Sequence, residues 1–371
     1  MRGWDDVIAL QSSICRLSAE DGRLSYRGYE AGDLAQHSTF EETAFLLLHA
    51  ELPTRGELRL FSAELKGSRK LPPPALKTLK GTPAGADPMS VLRLGIGTLA
   101  LEDAVPLPPA PEAALRQGTR LIALAPTMVA AQYRLRRGLK PVTPRKALGL
   151  AADFLFMLTG EPAEPDAVRA FDVGLILRAD NELNPSTFSA RVTASTGADV
   201  YGAVSAAVSA LAGPRHGWHA RNVLLALEEI GPPENMASWL AARRSAGERI
   251  PGFGHQVYRG EDPRTAQLRP LAEARCARVG LAQLFRTARA LEESMARESG
   301  QHAIVDYYLA VLYRALGIPP ELFTAVFAVS RMPGWVAHIL EQYRDERLIR
   351  PRAAYTGPEG RDYVSIRQRR P

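Results

Sequence analysis

The chain has few lysines, few cysteines and no long apolar run, and each shortage narrows what it can be. Only six of its 46 basic residues are lysines, and none follows Lys146. A carboxylate or phosphate contact beyond that point must therefore use arginine, whose planar fork suits carboxylate. The two cysteines, Cys15 and Cys276, lie far apart and form no metal or redox motif. No apolar run approaches the roughly 18 residues needed to cross a bilayer, and the first residues lack a signal peptide's apolar centre. We therefore expect a cytoplasmic protein with no membrane partner.

Length and charge favour a soluble protein that binds small anions. The 371 residues suit two domains, or one large domain with a satellite, and 46% of them are hydrophobic. The net charge of +6 is compatible with nucleic acid, a membrane surface or small anionic substrates. Basic residues are dense only at 134–137 and 367–370. Nucleic acid is therefore the disfavoured partner.

Helical periodicity dominates after residue 40 and predicts an all-α fold, since no long alternating pattern competes with it. Residues 1–40 are expected to be extended or irregular, with a hairpin turn at Asp21-Gly22. Ser38 is expected to cap a helix that Pro53 ends, with Glu41 completing a capping box. Two proline-rich segments, 71–74 and 107–111, are predicted to be stiff loops. Further helices are predicted at 55–68, 88–101, 112–137, 144–159, 165–179, 187–196, 199–212, 217–230, 235–245, 264–278, 280–298, 303–316, 319–330 and 333–346.

The helix predicted at 199–212 is rich in alanine, serine and glycine, so it fills a core poorly by bulk. Helices of this composition pack closely against a neighbouring helix. We expect it at a subunit interface or under the active site, and an ordinary buried helix is the open alternative.

The loop RIPGFGHQVYRGEDPR, residues 249–264, is the most ligand-like segment. Gly252 and Gly254 permit backbone angles closed to other residues and let a ligand approach the main chain. They flank His255, and the turn at Asp262-Pro263 should direct Arg264. Taken alone, the segment is equally compatible with a surface loop carrying solvated arginines.

Two more polar positions follow apolar or glycine-rich segments. Asp306 follows an apolar pair and precedes two tyrosines, so its carboxylate is expected to be partly desolvated, which suits a general base. A lone Asp in that place would also fit a helix N-cap. His216 and His219 have a spacing compatible with metal, but no third ligand or HExxH pattern supports it. We therefore predict no metal site.

Four segments in order resemble a citrate synthase of the short bacterial type, and the similarity runs nearly end to end. They are GRLSYRGYEAGDLAQHSTFEETAFLLLH, ELNPSTFSARVTASTGADVYGAVSAAVSALAGPRHG, the loop above, and LFTAVFAVSRMPGWVAHILEQYRDERLIRPRAAYTGP. The resemblance implies an all-α homodimer. It implies a large domain at 1–219 and 318–371, and a smaller, mobile domain at 220–317 that closes over the substrates.

The family condenses acetyl-coenzyme A with oxaloacetate, without a metal or a permanently bound cofactor. By matching motif positions, Asp306 would remove a proton from the acetyl methyl group and His216 would hold the thioester oxygen. His255 would protonate the ketone oxygen of oxaloacetate. A thioester α-proton is far less acidic than a carboxylic acid, so the base needs a donor aimed at the developing oxyanion.

The resemblance also assigns binding residues. Arg264, Arg331 and, from the partner subunit, Arg350 would bind the oxaloacetate carboxylates. Arg259 would meet a coenzyme A phosphate. The backbone at Ile250, Pro251, Gly252 and Gly254 would border the adenine. Any one of these arginines, taken singly, would fit a solvated surface charge, and only the joint pattern favours a site.

Three departures from the family pattern lie near the expected site. The family usually reads HADHELN where this chain has RADNELN, residues 178–184, so Asn181 replaces a histidine that normally contacts oxaloacetate. GGAN after the catalytic histidine is here Gly217-Trp218-His219-Ala220, and Ser-Gly near Asp306 is Leu309-Ala310. We therefore expect a citrate synthase, with two alternatives. One is a 2-methylcitrate or other alkylcitrate synthase, or an enzyme for another 2-keto acid. The other is a catalytically weak paralogue with a binding or regulatory role.

Overall fold

The fold is built from α-helices, as the periodicity predicts. The computed structural model describes residues 7–19, 22–255, 257–258 and 260–369. One small antiparallel sheet precedes the helices, with strands β1 (Cys15–Ser18), β2 (Arg23–Tyr26) and β3 (Tyr29–Glu30) in that order. The helices are α1 (Ala31–His37), α2 (Phe40–His49), α3 (Arg55–Ser68), α4 (Pro73–Lys80), α5 (Pro88–Glu102), α6 (Pro111–Arg136), α7 (Leu150–Thr159), α8 (Pro165–Leu177), α9 (Pro185–Ala194), α10 (Val200–Leu211), α11 (His219–Ile230), α12 (Met236–Ser245), α13 (Thr265–Arg278), α14 (Ala282–Ser299), α15 (Val305–Ala315) and α16 (Phe323–Asp345).

The predicted N-terminal hairpin is present, because β1 pairs with β2 in a register that opposes Ser18 and Arg23. Asp21, the first residue of the predicted turn, lies outside the described residues. Two short helices were not predicted. Helix α1 lies in the stretch expected to be irregular, and α4 begins inside the proline-rich segment at Pro73. Proline is tolerated in the first turn because its missing N–H has no partner there anyway.

The predicted cap of α2 is one residue out. Thr39 is the N-cap, and its hydroxyl accepts a hydrogen bond from the Glu42 amide at 3.2 Å. Ser38 instead donates its hydroxyl to the Glu42 carboxylate at 2.7 Å. Glu41 turns inward, where it accepts the Leu150 amide and pairs with Arg69. Glu41 therefore binds residues distant in the sequence instead of capping the end of α2, as the capping-box pattern had predicted.

Two predicted boundaries in the later helices are wrong. Helix α7 begins at Leu150, six residues after the predicted start, because the preceding segment folds back so that the Arg145 amide donates to Asp153 at 2.8 Å. The predicted helices 319–330 and 333–346 form the single helix α16, which runs through Pro333. A proline in a helix costs one hydrogen bond, and the buried surroundings of α16 maintain the helix across it.

Helix α16 is the central helix of the core. It contacts α2, α5, α6, α8, α9, α10 and α11. Its length and composition would also allow it to cross a membrane, but the apolar window of Pro320–Asp345 is entirely buried inside the protein. A core helix of a soluble protein passes the same test.

Helix α10, predicted to be small-sided, packs mainly on α9 and also on α5 and α16. This packing is compatible with an ordinary buried helix, and a place under the active site or at a subunit interface stays a prediction.

Candidate active site

The site is organised around the chain segment that leaves α8 and the middle of α16. Gly334 on α16 lets this segment approach closely, because a methyl group there would overlap the Ala179 carbonyl oxygen and the Asp180 carboxylate. One turn earlier, the Arg331 Nε donates to the Arg178 carbonyl oxygen at 2.8 Å. Two guanidinium groups from distant parts of the chain are thereby brought side by side.

Three side chains of the site contact the ring of Phe327. The guanidinium carbon of Arg178 lies 3.6 Å from the ring centroid and that of Arg331 lies 4.9 Å from it. The imidazole of His216 meets the same ring edge-on, with 6.0 Å between centroids. Cations are attracted to an aromatic face, so one side chain holds both arginines next to the histidine.

His216 is held by a serine that the sequence analysis did not single out. Its Nε2 lies 2.9 Å from the Ser186 hydroxyl, in the first turn of α9. Trp335 from α16 donates its indole N–H to the same hydroxyl at 3.2 Å. With Nε2 engaged in this way, Nδ1 is the nitrogen available to a ligand.

The loop that carries His255 is fixed to the segment just before α15. Gly254 donates its amide to the His302 carbonyl at 3.2 Å, and Ile304 donates to the Gly252 carbonyl at 3.0 Å. Both glycines have positive φ, +88° and +77°, as the sequence predicts. The space beside Gly252 is filled by protein, since a Cβ there would lie 2.7 Å from the Tyr307 ring. Gly254 is the open position of the pair.

The tautomer of His255 follows from its own loop. Its Nδ1 accepts the amides of Val257 and Tyr258, at 3.0 and 3.1 Å. A neutral imidazole that accepts at one nitrogen carries its proton on the other. The Nε2 of His255 is therefore the proton-bearing atom.

Asp262 joins the loop, Arg264 and α15. Its carboxylate accepts from Arg264 Nε at 2.8 Å and from Arg264 Nη2 at 2.7 Å, which is a bidentate pair. It also accepts the Val305 amide at the start of α15, at 2.8 Å. Arg264 in turn donates to the Asn181 side-chain oxygen at 3.1 Å. The expected turn does direct Arg264, and the aspartate side chain is what holds it.

Asp306 is buried in the first turn of α15 and forms an ion pair with Arg178. It is not the N-cap, which is Ile304. The negative charge of Asp306 opposes the effect of burial on both His216 and His255. One carboxylate and two imidazoles that are distant in sequence therefore lie within electrostatic reach of one another.

Both imidazoles are uncharged at neutral pH. Burial, followed by the nearby Arg331 and His219, lowers the pKa of His216 to about 3. Burial, followed by the nearby Arg264, lowers the pKa of His255 to about 4. Burial also lowers the pKa of Arg331 to about 10, although Asp180 opposes this. One Arg331 nitrogen, Nη1, is buried without a hydrogen-bond partner. An anionic ligand would satisfy that donor.

We expect His216→Gln to reduce the acid sensitivity of folding. The unfolded chain protonates this imidazole near its ordinary pKa of 6.5, whereas the folded chain resists protonation until about pH 3. Between these values the unfolded state binds more protons than the folded state. This residue therefore lowers the free energy of unfolding as the pH is lowered, by up to about 1.4 kcal/mol per pH unit. Urea unfolding at pH 7 and pH 4.5 measures the loss, which should be smaller in the variant. An equal loss in both proteins would contradict the assignment.

Comparison with known proteins decides the family. The family model described as "Citrate synthase, C-terminal domain" matches residues 3–352. Citrate synthase 2 of Bacillus subtilis is 42% identical over 369 residues, which cover 99% of each chain. The chain belongs to the citrate synthase family. It is an enzyme of the kind that transfers an acyl group in a condensation reaction.

Two further family members bear on substrate choice. A 2-methylcitrate synthase of Mycobacterium tuberculosis is 39% identical over 366 residues, covering 97% of this chain and 91% of its own. The solved ternary complex of carboxymethyl coenzyme A and oxaloacetate with the citrate synthase of Thermoplasma acidophilum is 29% identical. It superposes with a TM-score of 0.93 over 98% of each chain. The all-α fold expected for the citrate synthase family is thereby confirmed.

Some positions predicted from the citrate synthase pattern are not part of this cluster. Arg350 is exposed on the C-terminal segment and lines a cleft of about 1090 Å³ with N-terminal residues. Arg259 lies outside the described residues. Ile250 and Pro251 lie on the loop ahead of Gly252 and are half-buried. Trp218 lies at the surface, 38% exposed, and donates its indole N–H to the Ala212 carbonyl at 3.1 Å.

Four contributors were missed by sequence reasoning. Ser186, Phe327 and the carboxylate of Asp262 all lie inside quoted family segments, but no local spacing relates them to the histidines. The pairing of Arg178 with Asp306 joins residues 128 positions apart. Among the described residues, no group of three or more His, Cys, Asp or Glu side chains is arranged to hold a metal ion.

Proposed function

We propose that this enzyme condenses acetyl-coenzyme A with oxaloacetate and, with water, releases citrate and coenzyme A. The observation that carries the proposal is the cluster of one buried carboxylate and two uncharged imidazoles beside buried guanidinium groups. The catalytic residues are Asp306, His216 and His255. No metal and no permanently bound cofactor is required, and the coenzyme A thioester is a co-substrate.

The first step forms the enol of the thioester. Asp306 takes a proton from the acetyl methyl group, and the electron pair of that C–H bond moves toward the thioester oxygen. His216 stabilises the oxygen as charge develops on it from the Nδ1 side that Ser186 leaves free. It donates there in the tautomer in which the Ser186 hydroxyl donates to Nε2 instead of to the Asn184 side-chain oxygen. A donor in this role contributes about 2.7 to 4 kcal/mol. The low pKa of His216 suits a neutral donor, since a neutral imidazole keeps its proton while polarising the oxygen.

The second step forms the carbon–carbon bond. The methyl carbon of the enol attacks the ketone carbon of oxaloacetate, and the ketone oxygen gains negative charge. His255 gives that oxygen the proton carried on Nε2, the nitrogen left free by its loop contacts. Water then hydrolyses the citryl thioester, which releases citrate and coenzyme A.

The two oxaloacetate carboxylates are assigned to arginines. Arg331 supplies the donor that lacks a partner, and Arg264 is oriented by Asp262 and contacts Asn181. Arg350 would complete the site in the partner subunit of a homodimer, which accords with its exposed position on the C-terminal segment.

Coenzyme A is assigned to the loop between α12 and α13. Ile250, Pro251, Gly252 and Gly254 would border the adenine, and Arg259 would meet a phosphate. The small domain, residues 220–317, would close over residues 1–219 and 318–371. In support, His255 lies on the proposed small domain and His216 on the large one.

A thiol-release assay tests the proposal. The enzyme is mixed with oxaloacetate and acetyl-, propionyl- or butyryl-coenzyme A, and free coenzyme A is measured. We expect the highest kcat/KM with the acetyl thioester. A preference for propionyl-coenzyme A would favour 2-methylcitrate synthase, which the Mycobacterium tuberculosis relative makes the second candidate. Absence of turnover with several 2-keto acids, together with measurable ligand binding, would favour a catalytically weak paralogue and reject the proposal.

A further inference from the structure

Arg178 links the proposed base to the keto-acid region through its contacts with Asp306 and Arg331. It is fully buried, with a relative exposure of 2%. Its guanidinium pairs with the Asp306 carboxylate through Nη2, while its Nε is buried without a hydrogen-bond partner. The proposed base is therefore held in an ion pair by a guanidinium group that has an unsatisfied donor.

Among the described residues, Arg178 is the ion-pair partner of Asp306. His216 and His255 are both uncharged at neutral pH. The phenol of Tyr313, on the same helix, also lies near both Asp306 and Arg178, and its buried hydroxyl remains neutral. The ion pair with Arg178 therefore limits how available the Asp306 carboxylate is.

The other side of Arg178 faces the keto-acid region. Arg178 and Arg331 both lie against the ring of Phe327, and the Nε of Arg331 bonds to the Arg178 carbonyl. A carboxylate bound to the open Nη1 of Arg331 would come close to Arg178. The guanidinium has five donors in a fixed fork, so it has donors to offer a second anion.

We propose that Arg178 exchanges partners during the reaction: it holds Asp306 in the empty site and moves to a carboxylate of the keto acid when that substrate binds. The exchange frees Asp306 to act as a base only once the acceptor of the new carbon–carbon bond is in place. Arg178 is then both a keto-acid ligand and a positioning residue for Asp306. The part concerning Asp306 as a base rests on the proposed function.

A purely structural ion pair makes different predictions from an exchange. If Arg178 only stabilises the fold, its loss lowers the free energy of unfolding and leaves the intrinsic affinity for oxaloacetate unchanged in the folded fraction. If the two carboxylates compete for Arg178, removing the charge of Asp306 strengthens keto-acid binding. The two effects must also be coupled through Arg178.

A double-mutant cycle on oxaloacetate binding tests the exchange. Isothermal titration without any acyl-coenzyme A is applied to the wild type, Arg178→Gln, Asp306→Asn and the double variant. We expect Arg178→Gln to bind oxaloacetate roughly 10-fold more weakly and Asp306→Asn roughly 10-fold more tightly, the scale of one charge-assisted hydrogen bond. In the Arg178→Gln background, Asp306→Asn should change the affinity less than twofold, because no guanidinium remains to be released.

Further measurements keep the test decisive. Arg178→Lys should recover part of the lost affinity, since it retains the charge without the fork. Circular dichroism and urea unfolding establish that each variant is folded. If Arg178→Gln does not fold, Asp306→Asn and Arg178→Lys still decide: unchanged or weaker binding in Asp306→Asn overturns the exchange. Independent, additive effects in the cycle overturn it too.

The outcome of this experiment is independent of the proposed function. If the wild type turns over no thioester, the role of Asp306 as a base is rejected, but the cycle still shows whether Arg178 moves to a dicarboxylate. If the wild type is active and the cycle is additive, the enzyme is a citrate synthase in which Arg178 is structural. Malate, a dicarboxylate without the ketone, serves as the second ligand and should show the same coupling.

Discussion

Replacing Asp306 by asparagine is expected to lower condensation by about 1000-fold or more while oxaloacetate still binds. Asparagine keeps the size of the side chain but cannot accept the methyl proton, and a positioned general base contributes about 100- to 10,000-fold. The carboxylate is buried, so water cannot readily replace it. Steady-state thiol release at saturating substrates measures the loss, and titration calorimetry measures oxaloacetate binding.

Asp172→Asn is the matched control for that result. Asp172 is also a buried carboxylate, on α8. Its oxygens accept hydrogen bonds from the Phe40 amide and from Arg169, which lie outside the site. Burial raises the pKa of Asp172 to about 7, so the neutral amide resembles its protonated form. We expect near-normal turnover in this variant. If Asp306→Asn retained turnover within tenfold of the wild type, Asp306 would not be the base.

Most of the fold follows from local patterns in the chain. Helices α3 and α5, for example, were predicted to within one residue at each end. The errors occur where a distant contact overrides a local signal. Pro333 indicates a helix end, but α16 continues because its surroundings bury it on all sides. Glu41 fits a capping box, but Arg69 and the Leu150 amide bind it instead.

The site shows the same division between local and distant information. His216 and His255 came from family segments, Asp306 was singled out from its apolar and aromatic neighbours, and the structure brings the three within reach of one another. Their orientation comes from Ser186 and from the amides of the His255 loop, which no spacing in the sequence relates to the chemistry. The Arg178 pairing depends on two helices meeting, so only the folded chain reveals it.

Gly334→Ala is the stability change with the largest expected effect, because this glycine is where α16 meets the segment after α8. Its added methyl group would overlap the Ala179 carbonyl oxygen and the Asp180 carboxylate. Backbone cannot rotate away as a side chain can, so the helix must shift, at a cost of about 3 kcal/mol or more. Arg331, three residues earlier on α16, would move with it. We therefore expect loss of both folding stability and oxaloacetate affinity.

Urea unfolding at pH 7 measures the effect of Gly334→Ala, and Gly67→Ala is its control. Gly67 also lies in a helix, α3, and a methyl group there would meet nothing within 4 Å. Alanine favours helix over glycine by about 1 kcal/mol, so this substitution should leave stability unchanged or raise it slightly. Comparing the two variants separates the steric effect at the contact between α16 and residues 179–180 from the effect of helix propensity. If Gly334→Ala unfolded at the wild-type urea concentration, α16 would not be pressed against residues 179–180, and the placement of Arg331 beside Arg178 would lose its basis.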